Sequence, residues 1–209
     1  MGLISDSGVT GRDRHVGVFG GTFDPVHSGH LAIAEAVRNE LGLDVVLFVV
    51  APDQWLRSLP PVASAAARFA MVELAVEGVP GLEASEVDIV RGGSTYTADT
   101  LLDLRERPGE GIELHLIVGA DSAMSMDRWK RAGEIVSLAR VVVVGRPGLE
   151  FDGGSLAKSH PARGAVYVEG PMVDVSATAI REQVQGGKSI AGLVPGSVAN
   201  YVAANGLYR

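Results

Sequence analysis

The 209-residue chain contains no cysteine, which excludes a disulfide scaffold, a thiolate zinc site and a cysteine nucleophile together. No apolar run approaches the roughly 18 residues that a membrane helix requires; the best, Val45 to Ala51, is strand length. The first fourteen residues lack the apolar centre of a signal peptide, so residues 1–14 read as a flexible tail on a cytoplasmic, non-membrane protein. Basic residues are also short. Lys and Arg number 18 against 25 Asp and Glu, giving a formal charge of −7 and a pI near 5.2, which argues against a nucleic-acid binder with its basic footprint. Neither Gly-x-Gly-x-x-Gly nor Gly-x-x-x-x-Gly-Lys-Ser/Thr occurs, so the dinucleotide and P-loop fingerprints fail. There is no internal repeat and no linker strong enough to divide the chain.

What remains is an ordinary globular composition, 46% hydrophobic and 21% charged, of a length that suits one domain over 15–209. Short β-branched runs at His15 to Phe19, Val45 to Val50, Val87 to Val90, Glu113 to Val118, Arg140 to Val144 and Val166 to Val168 alternate with helical stretches. This pattern predicts a single-domain, Rossmann-like, doubly wound α/β fold, with a mostly parallel sheet and helices on both faces. The runs at 45–50 and 141–144 are continuously apolar, as in strands covered on both sides, and are expected to be central. Ile33, Val37 and Leu41, and then Phe69, Val72 and Val76, form helical stripes closed by Gly42 and Gly78. A later helix is expected from Ser176 as N-cap to Gln185, ended by Gly186 and Gly187. Gly145 to Gly164 reads as a long loop.

The informative stretch follows the first strand: Gly20-Gly21-Thr22-Phe23-Asp24-Pro25-Val26-His27-Ser28-Gly29-His30, running into the first helix. Two glycines permit positive φ and close approach of backbone to a ligand, and the N–H groups of a helix start favour an anion. His27 and His30, three apart, are expected on one face of the first turn, with Gly29 leaving room for a substrate. Imidazoles there can donate to phosphoryl oxygens, and phosphoryl transfer asks mainly for charge to be managed. A glycine pair alone is often only a turn, and a histidine pair can cap a helix or pack in the core. A metal reading of the pair lacks cysteine and the helical Glu of the zinc proteases.

The eleven-residue stretch resembles the opening motif of the nucleotidyltransferase superfamily with the His-x-Gly-His signature, and in detail that of bacterial nicotinate-nucleotide adenylyltransferases. Further matches follow in family order: Ser94-Thr95-Tyr96-Thr97-Ala98-Asp99-Thr100-Leu101, Gly119-Ala120-Asp121, Trp129, Arg146-Pro147-Gly148, Val175-Ser176-Ala177-Thr178-Ala179-Ile180-Arg181 and Asn205-Gly206-Leu207-Tyr208. The resemblance implies transfer of AMP from ATP to nicotinate mononucleotide by direct attack, with pyrophosphate released and deamido-NAD formed. It implies ATP contacts from Gly20, Gly21, Thr22, Phe23, His27, His30, Asp121, Ser176, Thr178 and Arg181, with His27, His30 and Arg181 as the catalytic donors. It further implies that Trp129 stacks on the pyridine ring and that backbone groups near Tyr96 and Thr97 receive the nicotinate carboxylate. Mg²⁺ is expected to arrive with ATP, held by phosphates and water, with no dedicated protein metal ligands.

Between the second strand and the next helix the family often shows Pro-Pro-His followed by Lys or Arg, whereas Pro52 to Val62 here lacks the histidine. Arg57 is the candidate cation, and Ala63 to Ala67 offers none. Preference for the amidated mononucleotide, another phosphorylated substrate, or a non-enzymatic nucleotide sensor are the rival readings, and homo-oligomerisation is left open. The charge is lopsided: residues 1–110 hold 8 basic and 16 acidic side chains, whereas 111–209 hold 10 and 9. Between 128 and 146, Arg128, Lys130, Arg131, Arg140 and Arg146 face only Glu134, a local excess that suits a phosphorylated ligand better than the total suggests.

Overall fold

The computed structural model describes residues 13–52, 60–106, 111–145 and 151–209. Six strands, β1 (Arg14–Gly21), β2 (Val45–Val50), β3 (Leu82–Ser85), β4 (Ile112–Gly119), β5 (Ala139–Gly145) and β6 (Val166–Glu169), form one sheet in the order β3-β2-β1-β4-β5-β6. Every adjacent pair is parallel. Arg14 pairs with Ile112, so β1 begins inside the segment expected to be tail.

β2 is buried along its whole length, as its unbroken apolar run implies. It is interior without being innermost: β1 and β4 hold the centre, and β2 and β5 flank them. Helices α1 (Ser28–Leu41), α2 (Ala65–Val76), α7 (Ala177–Gln185) and α8 (Gly196–Ala204) supply Ala34, Val37, Met71, Val72, Ile180, Val198 and Val202 to the core on one face. Helices α4 (Thr97–Arg105), α5 (Ala120–Met124) and α6 (Ala132–Leu138) bring Leu101, Leu104, Ala123 and Ile135 to the other. The sheet is therefore covered on both sides.

The glycine terminators act as their positions suggest. Gly42 is left-handed at φ 62° and its N–H bonds Arg38, while Gly78 takes φ 73° one residue beyond the C-cap of α2. The α7 helix ends on Gly186, with Gly187 left-handed. From 151 to 165 the chain is loop with a single 3-10 turn at Gly153–Ser155.

One expected strand is a helix. Val87–Arg91 forms the short helix α3, and the strand lies upstream at Leu82–Ser85. Asp88 is 3% exposed, accepts from Thr100 Oγ1 at 2.6 Å and pairs with Arg91 three residues on, while Val90 is 73% exposed. Helical geometry brings Asp88 and Arg91 together, and that tertiary contact overrides the weak strand preference of three β-branched residues.

Candidate active site

A cleft of about 710 Å³ opens at the carboxyl ends of β1 and β4. From β1 the chain moves outward to β2, and from β4 it moves the opposite way to β5, so the neighbouring strands leave a crevice where ligands of such sheets bind. Gly20, Gly21, Thr22, Phe23, His27, His30, Tyr96, Thr97, Asp121, Trp129, Ser176, Thr178 and Arg181 all line it. Arg57 lies outside the described residues, as does Arg146-Pro147-Gly148. Three helices of at least nine residues, α1, α4 and α7, begin at the cleft. Each presents first-turn N–H groups that have no intrahelical acceptor.

In the first loop neither Gly20 nor Gly21 takes positive φ; Phe23 does, at 50°. Its ring is 3% exposed and sits edge-on to Phe19 and His30. A Cβ on Gly21 would lie 2.7 Å from that ring, whereas one on Gly20 would meet nothing within 4 Å. Gly21 is thus required by Phe23, and only Gly20 leaves open space. Gly29 likewise makes room for protein: its Cβ would lie 2.9 Å from Val175 Cγ1 and 3.2 Å from His27 Nδ1.

His27 is the extended N-cap of α1, so the two histidines do not both sit in the helix; their rings stack at 3.6 Å between centroids. The His27 main-chain N–H donates to His30 Nδ1 at 3.2 Å. That bond fixes the neutral tautomer of His30 with its proton on Nε2, where it is available to a ligand. Burial lowers His27 to about 4 and His30 to about 3, the latter helped by the adjacent His27 ring. Both imidazoles are therefore neutral at pH 7, able to offer an N–H to a ligand but not a positive charge.

The loop is held by residues that sequence reasoning missed. Arg68, 1% exposed, donates to the carbonyls of Thr22 at 2.6 Å, Ala51 at 2.8 Å, Pro52 at 3.0 Å and Ala63 at 3.1 Å. Burial lowers its pKa, and nearby Asp24 opposes that shift. The Asp24 carboxylate accepts from the N–H groups of Val62 and Ala63 and from the Tyr208 hydroxyl at 2.7 Å. A cation does follow Ala63 to Ala67, one position on, but it is spent on main-chain carbonyls. A charged residue at a core position of α2, beside Met71 and Val72, was the available signal.

Ser176 caps α7, its Oγ accepting from the Ala179 N–H at 3.2 Å. Arg181 donates to the Asp24 carbonyl at 2.7 Å and to Thr178 Oγ1 at 3.2 Å, which holds the guanidinium at the cleft wall. Across the cleft, Tyr96 is the N-cap of α4 and Thr97 its first residue. Gly119, not Asp121, is the N-cap of α5, leaving the exposed Asp121 carboxylate in its first turn. Arg131 bridges Asp99 and Glu134 and so ties the Trp129 segment to the first turn of α4. Thr95 Oγ1 and Trp129 Nε1 are buried without a protein partner, and both residues line the cleft. Such atoms call for a ligand or water. Of the cations clustered in sequence, Lys130 lines the cleft, Arg131 is consumed by carboxylates, and Arg140 sits beside His115 toward the other end of the sheet. The expected basic patch is therefore dispersed.

The cytidylyltransferase-like family matches residues 18–183. A probable nicotinate-nucleotide adenylyltransferase of Roseiflexus sp. (strain RS-1) is 43% identical over 197 residues, covering 93% of this chain and 98% of its own length. One from Saccharopolyspora erythraea is 42% identical over 199 residues, covering 95% and 91%. Among solved structures, the nicotinic acid mononucleotide adenylyltransferase of Plasmodium falciparum, complexed with NaAD, superposes with a TM-score of 0.73 at 15% identity, covering 93% of this chain and 97% of that one. At that identity the likeness is one of fold.

Proposed function

The chain belongs to the cytidylyltransferase-like family and, within it, to the nicotinate-nucleotide adenylyltransferases, and from this cleft we propose how it joins ATP to nicotinate mononucleotide in NAD biosynthesis. The mononucleotide's 5′-phosphate oxygen attacks the α-phosphorus of ATP. The bond to the α,β-bridging oxygen breaks, pyrophosphate leaves with the electron pair, and deamido-NAD is formed. The nucleophile is already anionic, so alignment and charge stabilisation carry the rate and no protein base is needed.

The observation that carries this reading is the convergence of three helix N-termini on one cleft in a chain of net charge −7. Oriented N–H groups attract phosphate and carboxylate without raising the formal charge of the protein. His30, through Nε2–H, and His27 donate to the ATP phosphates beside the backbone of Gly20 to Phe23. Ser176, Thr178 and Arg181 hold the β- and γ-phosphates at the start of α7. Asp121 accepts from ribose hydroxyls. Trp129 stacks on the pyridine ring, and the start of α4 at Tyr96 and Thr97 receives the nicotinate carboxylate. A helix N-terminus prefers that anion to a neutral amide, which supports the acid substrate.

Mg²⁺ enters on ATP, held by phosphate oxygens and water. The carboxylate nearest the histidines in sequence, Asp24, is already engaged with Val62, Ala63 and Tyr208. Bound with ATP, the ion would offset charge on the triphosphate.

Pyrophosphate release from ATP, measured with nicotinate mononucleotide, nicotinamide mononucleotide and phosphopantetheine, tests the reading. The acid is expected to give the highest kcat/KM; faster turnover of the amide overturns the substrate, and no turnover with any acceptor overturns the activity.

A further inference from the structure

Toward the ends of β1 and β4 away from the cleft, His15, Glu113 and His115 share one face of the sheet. His15 is the register partner of Glu113, and His115 lies two residues further along β4. His15 Nδ1 is 3.2 Å from His115 Nε2 and 3.6 Å from one carboxylate oxygen of Glu113, whose other oxygen is 3.5 Å from His115 Nε2. The edges of a tetrahedron of nitrogen and oxygen ligands around zinc are roughly 3.3 to 3.5 Å, from metal–ligand distances of about 2.0–2.2 Å; with one donor atom taken from each residue the three lie within 4.8 Å of one another, so closing on an ion takes a turn of the Glu113 carboxylate that brings one oxygen to both imidazoles.

We propose that His15, Glu113 and His115 bind a zinc-class divalent transition-metal ion, with water in the fourth position, clasping β1 to β4. Two imidazoles and a carboxylate are a donor set that zinc takes and that magnesium or calcium, which prefer oxygen alone, do not. The rigid sheet fixes the donors, since two come from alternate residues of one strand and the third from its paired neighbour. His115 is buried and Glu113 about half exposed, so the ligands stand between core and solvent and an ion has a path in. Arg140, the register partner of His115 on β5, opposes the ion's charge, and His115 Nδ1 has no protein partner to orient it. Both features lower the affinity relative to a site whose ligating imidazoles are oriented by partners, by about 10- to 100-fold.

The test is titration of the full-length, tag-free protein with Zn²⁺ by calorimetry, and with Co²⁺ by visible absorption, together with melting temperature with and without Zn²⁺. The wild type is expected to bind one equivalent, to give a tetrahedral cobalt spectrum and to melt at a higher temperature with the ion. His15→Gln and Glu113→Gln, both at partly exposed positions, are expected to weaken binding at least tenfold while leaving adenylyl transfer unchanged; His115→Gln should abolish the cobalt spectrum. Absence of binding at 100-fold molar excess of metal, or binding that survives His15→Gln and Glu113→Gln unweakened, overturns the proposal.

Discussion

Arg181 donates to the main-chain carbonyl of Asp24 at 2.7 Å, joining two segments 157 residues apart in the chain. This one bond sets the start of α7 against the loop that precedes α1, so the helix ends proposed to hold the triphosphate face one cleft in fixed relation. It also ties the guanidinium to the histidine loop, which Arg68 and Tyr208 secure from behind.

Arg181→Ala removes a charged donor and a strut together. A charge-assisted hydrogen bond is worth about 1.5–3 kcal/mol, so kcat/KM for ATP is expected to fall about 10- to 100-fold, with KM for the mononucleotide changed less. Steady-state kinetics with each substrate varied in turn checks this, and an unaltered ATP response removes Arg181 from the phosphate site.

His30→Ala deletes the Nε2–H donor that the His27 main chain orients. By the measured scale for losing one transition-state donor, kcat should drop about 10²-fold or more. Single-turnover measurement separates this from slow product release.

The histidine pair makes the ligand-free protein sensitive to acid. Both groups fold to values below the ordinary 6.5, about 4 for His27 and about 3 for His30, chiefly through burial. Between those values and 6.5 the unfolded chain binds more protons than the folded one, so stability is full above pH 6.5 and declines as pH falls toward 4. The loss is on the order of a few kcal/mol. Melting temperature measured from pH 7.5 to 4 should fall, and His30→Gln should fall less over the same interval.

Arg68→Met leaves four carbonyls without their donor and the Asp24 carboxylate without its nearby cation. Breaking a buried charged network of this kind costs about 3–5 kcal/mol, to be read from urea denaturation. Arg68→Lys should recover only part of it, because an ammonium cannot span the acceptors that the planar guanidinium reaches. Tyr208→Phe removes one bond to Asp24 and is expected to cost about 1–3 kcal/mol.

The two glycines of the first loop are predicted to fail differently. Gly21→Ala forces a methyl to 2.7 Å from the Phe23 ring and should lower the melting temperature. Gly20→Ala meets no protein atom and should keep that temperature while raising KM for ATP. Equal melting losses in the two variants would contradict this division.

The β-branched runs, the helical stripes and the glycine terminators are local, repeating signals, and they were enough to indicate a doubly wound parallel sheet. The loop motif and the further family matches that follow it were enough to name thirteen residues that meet in one cleft. Both are written within short stretches of chain, where spacing maps directly onto geometry. Folding brought together what no spacing encodes: Arg68 with carbonyls 5 to 46 residues away, Asp24 with Tyr208 across 184 residues, and His15 with His115 across 100. It also decided that Val87–Arg91 is helical, because burial and pairing of Asp88 outweigh local preference. The same contacts made the absence of a side chain at Gly21 a requirement of the Phe23 ring and spent Arg131 on carboxylates. A pattern states which residue types are present and how far apart they lie in the chain; which donors remain free for a substrate depends on partners that only the closed tertiary structure supplies.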